Sequence, residues 1–255
     1  SVARARGGIF KDRLPVFAIL GTVLLVVPAG DLGQREHLLL AATLPYLVLF
    51  AGALDGRHPS RPMSLAAGIV AGIGCALKPQ YALIFVVLEA VGLLRGLRPW
   101  RIMPIAAAVT MASYGAAVAY LCPAYLARAV PLALALYGGT DVTFWRLLAE
   151  SAVLLVCEAL VWALWWEGRR QSSERHLLLT LAAFAAASTF ICFYDGKDWF
   201  YHRIPATIAT ILAIASWGVG VWCERRHEHR ALRHYLVLSC LAIAVFGVGT
   251  FHRLE

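Results

Sequence analysis

The chain has 255 residues, of which 60% are apolar by the AVILMFWYC count and 15% are charged, with a mean hydropathy of +0.71. Soluble domains hold about 45–50% apolar and about 25% charged residues, so an ordinary soluble domain is excluded, and the unperiodic Gly and Pro exclude a collagen-like or disordered chain. The formal charge of +8 would suit nucleic acid in a soluble protein, but the basic residues cluster between apolar runs, which marks membrane topology and removes nucleic acid as a partner.

Nine apolar runs follow one another: Leu14–Gly30, His37–Leu54, Ser64–Leu77, Gln80–Leu94, Ile102–Cys122, Leu147–Trp166, Leu177–Tyr194, Ile204–Trp222 and Tyr235–Thr250. Most approach the ~20 residues that a helix needs to cross about 30 Å of hydrocarbon. Period-2 alternation is absent, and a bilayer leaves no backbone group unpaired, so the expected spans are helices. The first run follows a basic leader and ends in small residues, the grammar of a signal peptide, and is read as an uncleaved span. The third and fourth runs are short and are divided by Lys78-Pro79. Proline disfavours the helical region for the residue before it, so a broken hairpin is expected there. Tyr125–Tyr137, with Arg128 and Pro131, is expected to lie along the outer interface. The six cysteines have no pair closer than 17 residues, too far apart for a zinc-knuckle spacing.

Orientation follows from Lys and Arg. With the N-terminus inside, the inner segments carry 16 of the 23 basic residues and the outer ones seven, as the positive-inside rule requires. The expected fold is therefore all-α: a polytopic membrane helix bundle of about nine transmembrane segments with one short broken hairpin. It forms a single transmembrane helical domain over 1–255, with an extracytoplasmic C-terminus.

Polar residues concentrate on the outer side. The link 31–37 holds Asp31, Gln34, Arg35, Glu36 and His37. Arg35 offers a planar fork for phosphate or carboxylate, and His37 an imidazole that can donate or accept a hydrogen bond. Lys78 and Gln80 flank the proline break, where a charge in lipid would cost about 2.5–3.5 kcal/mol and a polar cavity is the usual setting. The segment 195–203 packs Asp195, Lys197, Asp198, Tyr201, His202 and Arg203 around Trp199 and Phe200. Within the spans, Glu89, Glu150 and Glu158 are intramembrane acids, with Arg146 four residues before Glu150 and able to pair with it. Cations for an anion beside carboxylates for a hydroxyl suit transfer of a group from an anionic lipid.

Three segments carry a resemblance: Gly33-Gln34-Arg35-Glu36-His37 opening an apolar helix, Leu77-Lys78-Pro79 between short runs, and Gly196-Lys197-Asp198-Trp199-Phe200-Tyr201-His202 before the eighth span. In their order they resemble bacterial members of the GT-C superfamily, the multispanning glycosyltransferases related to the protein O-mannosyltransferase and aminoarabinose transferase group. The resemblance implies a bacterial inner-membrane enzyme moving a sugar from a polyprenyl-phosphate donor to an acceptor hydroxyl on the outer face, with or without a divalent metal. No metal-ligand set and no cofactor is indicated by the residues. It further implies that Asp31, Glu36, Asp195 or Asp198 acts as the catalytic carboxylate, and that Arg35, His37, Lys78, Gln80, Lys197, Tyr201, His202 and Arg203 bind the lipid phosphate. Such enzymes carry their catalytic acid in a long first outer loop, whereas the link here spans only 31–37. That departure favours one alternative, a non-catalytic subunit packing against membrane-protein partners; a transporter is the third reading, and the one-sided polar groups and lack of a visible internal repeat count against it.

The topology is checked by labelling single cysteines from the outer side in a background without the native six. A cysteine at Ser173 stays protected and one at Gln34 is labelled; the reverse pattern inverts the orientation.

Overall fold

The computed structural model describes residues 13–138, 141–167 and 175–224, and among these every regular element is helical. Among the described residues nine α-helices run in chain order: α1 (Arg13–Val26), α2 (Arg35–Leu54), α3 (Arg61–Ala76), α4 (Ala82–Leu94), α5 (Ile102–Leu121), α6 (Val130–Gly138), α7 (Phe144–Glu167), α8 (Arg175–Asp195) and α9 (Phe200–Glu224). By length and composition α2, α5, α7 and α8 can each cross a membrane. Eight of the nine apolar runs thus fall on helices, and the last, Tyr235–Thr250, lies outside the described residues. Tyr125–Tyr137 forms a π-helical turn, Tyr125–Ala129, continued by α6, both on the surface.

Local chemistry explains the boundaries. The first run ends as α1 at Val26, before Pro28 and a 3-10 turn at Ala29–Asp31, because proline lacks an amide N–H and restricts its predecessor. Helices α2 and α4 end alike. The Gly56 and Gly96 residues, at φ 75° and 84°, let Arg57 and Leu97 donate back to the carbonyls of Gly52 and Gly92 at 2.9 Å, a Schellman closure that a side chain at the left-handed position would strain. Ser60 caps α3 by accepting from the Met63 amide at 3.5 Å. The break expected at Lys78 is present: its backbone is extended (φ −149°, ψ 86°) before a 3-10 turn at Pro79–Tyr81.

Helix α8 is the axis of the bundle, packed against α2, α4, α7 and α9. It is buried over most of its circumference, as expected of a helix apolar all round. Helix α3 is squeezed between α2 and α5 through its small residues. A Cβ at Gly68 would stand 2.4 Å from the Met103 carbonyl oxygen, and one at Gly72 would stand 2.7 Å from that of Ala107. On the opposite flank, a Cβ at Gly74 would meet Ala42 at 2.8 Å. Gly68 and Gly72 are four apart, the small-xxx-small spacing through which helix backbones approach closely in membranes.

Gly68→Ala and Gly72→Ala are therefore expected to destabilise the bundle by about 1–3 kcal/mol each, the usual cost of overpacking. Gly115→Ala on α5, with nothing within 4 Å of the new methyl, should leave thermal unfolding of the detergent-purified protein unchanged.

Candidate functional site

Three helix ends and the α3–α4 break meet at one end of the bundle. The first turn of α2 brings Glu36, the break brings Lys78, the last turn of α8 brings Asp195, and the first turn of α9 brings His202. These residues are separated by up to 166 positions in the chain and form one polar core. Lys78 Nζ donates to Glu36 Oε1 at 2.7 Å and to Asp195 Oδ2 at 3.0 Å. His202 Nδ1 lies 3.0 Å from Asp195 Oδ2 and 3.3 Å from Lys78 Nζ, so its N–H can donate to the carboxylate. Gln80 Nε2 donates to Asp195 Oδ1 at 3.2 Å on the exposed edge of the core. Side-chain exposure is 1% at Glu36, 8% at Lys78 and 12% at Asp195, so the core is closed on the Glu36 side and open only toward Gln80.

Tyr81 completes the wall. Its ring lies 5.4 Å from Lys78 Nζ, and its hydroxyl donates to the His202 carbonyl at 3.4 Å. An aromatic group continues outward from His202, whose ring centroid is 4.5 Å from that of Tyr201 and 5.6 Å from that of Trp199, and Tyr137 meets Trp199 edge-on. Two buried polar atoms here have no protein partner: Glu36 Oε2 and His37 Nε2. His37 Nδ1 accepts from the Gly33 amide at 3.2 Å, which leaves the ring hydrogen on Nε2 as an unused donor.

The remaining residues singled out in the sequence are placed around this core rather than within it. Arg35 is exposed beside Glu36, within electrostatic reach of the Tyr201 hydroxyl. Asp31, in the turn before α2, has its carboxyl held above its ordinary value by partial burial and then by the charge of Glu36. Lys197, Asp198 and Arg203 brace the loop between α8 and α9. Lys197 is bound to Asp141 and to the Tyr137 carbonyl. Arg203 donates to the Glu150 carbonyl and, at 2.9 Å, to that of Asp198, while Arg146 pairs with the Asp198 carboxylate at 2.6 Å. Of the intramembrane acids, Glu158 accepts from Thr189 at 2.5 Å. Glu89 accepts from Tyr46 at 2.6 Å and is bound by Arg101 near the other end of the bundle.

Sequence reasoning missed Tyr81 and Asp141. An aromatic directly after a proline break was the available signal for Tyr81, whereas Asp141 sits in a link with no pattern of its own. Among the described residues no group of three His, Cys, Asp or Glu is arranged to hold a metal ion; Lys78 occupies the place between Glu36 and Asp195. No family model, curated protein or solved structure matches the chain.

The core can place an ammonium, two carboxylates and an imidazole against a small polar ligand entering past Gln80. Lys78→Met is expected to cost about 3–5 kcal/mol, because it strands the buried Glu36 carboxylate and takes an ion pair from half-buried Asp195. Adding Glu36→Gln to that variant should recover part of the loss. Thermal unfolding of the two variants and of Glu36→Gln alone, read as a double-mutant cycle, checks the coupling.

Proposed function

We propose that the chain is the membrane-embedded part of an outer-face transferase that moves a sugar from a polyprenyl-phosphate donor to an acceptor hydroxyl. The observation carrying this reading is the convergence of Glu36, Lys78 and His202, one from each of the three segments on which the GT-C resemblance rests, on Asp195, which immediately precedes the third. In this reading the nine apolar runs cross the inner membrane of a bacterium, with the N-terminus cytoplasmic, the C-terminus outside and α3–α4 as a hairpin. The polar core then faces the outer leaflet, where polyprenyl-phosphate sugars present their head groups.

The chemistry divides among the residues as follows. The orphaned Oε2 of Glu36 receives the proton of the acceptor hydroxyl, and that oxygen attacks the anomeric carbon as the bond to phosphate breaks. Negative charge gathers on the departing polyprenyl phosphate, and Arg35, exposed beside Glu36, supplies a bidentate donor for it. Lys78 and His202 hold Asp195 and Glu36 in place and set the field around them. Lys197, Asp198 and Arg203 shape the loop that carries His202 and Tyr201.

A second reading draws support from the closure of the core. A lysine already paired with two carboxylates can serve as a packing lock in a non-catalytic subunit that joins partner subunits in the membrane.

Binding of undecaprenyl phosphate to the purified protein separates the two. Arg35→Ala is expected to weaken it by about tenfold or more, the loss of a charge-assisted pair, while Arg170→Ala, on the face read as cytoplasmic, leaves it unchanged. Glu36→Gln should bind the lipid phosphate and fail to transfer the sugar from a polyprenyl-phosphate sugar donor. Equal binding by wild type and Arg35→Ala would overturn the transferase reading and leave the subunit.

A further inference from the structure

At the other end of α3, about 24 Å from the polar core at 1.5 Å per residue, the bundle opens into a cavity of about 260 Å³. Its rim carries His58, Arg61, Trp100 and Arg101, and its floor is apolar, with Leu49 and Ala53. Arg101 is bound to Glu89, so its charge is balanced within the bundle. Arg61 and His58 are not. Both are exposed, and among the described residues no carboxylate lies within ion-pair distance of either. The nearby acid Asp55 is taken by Arg57 at 2.5 Å and His176 at 2.6 Å. Helices α3 and α5 both begin at this rim, and α5 has no side-chain cap on its first turn, so two positive dipole ends add to the field of the arginines.

We infer that this cavity binds the phosphate head group of an anionic phospholipid, with Arg61 and His58 as the phosphate ligands. Three observations select a lipid rather than a soluble anion. The floor is apolar, which suits a glycerol backbone and the start of an acyl chain. Trp100, at 85% exposure, stands where an interfacial indole meets head groups. The rim also lies at the end of spanning helices, the depth at which basic interhelical pockets hold anionic lipids. The inference requires only that the bundle stand in a bilayer, and it is independent of the transfer reaction.

Native mass spectrometry of the detergent-released full chain, titrated with phosphatidylglycerol or phosphatidylcholine, tests it. Wild type should retain phosphatidylglycerol at least about fivefold more tightly, with about that factor lost for each positive charge removed. Arg61→Gln combined with His58→Gln should reduce the preference to nothing. Arg61→Lys should keep most of it, and Arg128→Gln, an exposed arginine outside the rim, should keep all of it. Retention of the preference by the double variant, or its absence in wild type, would overturn the site. Displacement of the lipid by inorganic phosphate would overturn the lipid assignment in favour of a small soluble anion.

Discussion

A lysine ammonium with almost no access to water is held between two carboxylates, and four separate chain segments take their positions from it. Burying such a charge costs several kcal/mol, and only close, hydrogen-bonded opposite charges offset it. Glu36 sits in the first turn of α2, where the helix dipole favours a carboxylate, but Asp195 sits in the last turn of α8, where the dipole opposes one. Asp195 is therefore the member that depends most on its neighbours, and it has three: Lys78, His202 and Gln80. Removing any one of them weakens the support of a half-buried anion at the unfavourable end of a helix. The arrangement thus couples the α3–α4 break to both ends of the α8–α9 connection.

Around this core the outer cations divide by what they touch. Arg203 and Lys197 spend their donors on backbone carbonyls and on Asp141, and Arg146 spends its own on Asp198. They hold a loop in place, and the loop presents Trp199, Tyr201 and His202 as one aromatic face. Arg35 is exposed to solvent beside Glu36. The division is one between cations that build the wall and a cation that meets what arrives at it.

Much of this was legible in the sequence. Eight apolar runs are helices because hydropathy and length leave a buried backbone no other choice, and Pro79 announced the break at Lys78. The segments around Glu36, Lys78 and His202 stood out because charge is dear at a membrane boundary. Which charges would meet was not legible. Lys197 and Arg203 look equivalent to Lys78 in composition, yet Arg203 is held by carbonyls and Lys197 by a carbonyl and Asp141, partners whose positions only the folded backbone supplies. Gly68, Gly72 and Gly74 were read as scattered glycines. Their spacing carries the close packing of α3, and a search for small residues four apart would have found the first two.

Helices α3 and α4, on either side of the break, are short. Helices of 16 and 13 residues extend about 24 and 20 Å at 1.5 Å per residue, against about 30 Å of hydrocarbon. If both cross a bilayer, as proposed, a mismatch of roughly 6–10 Å has to be met, and thinning the lipid beside them costs fractions of a kcal/mol per Å. The leaflet would then be dimpled next to Lys78, with polar head groups drawn down toward the depth at which the buried charges lie.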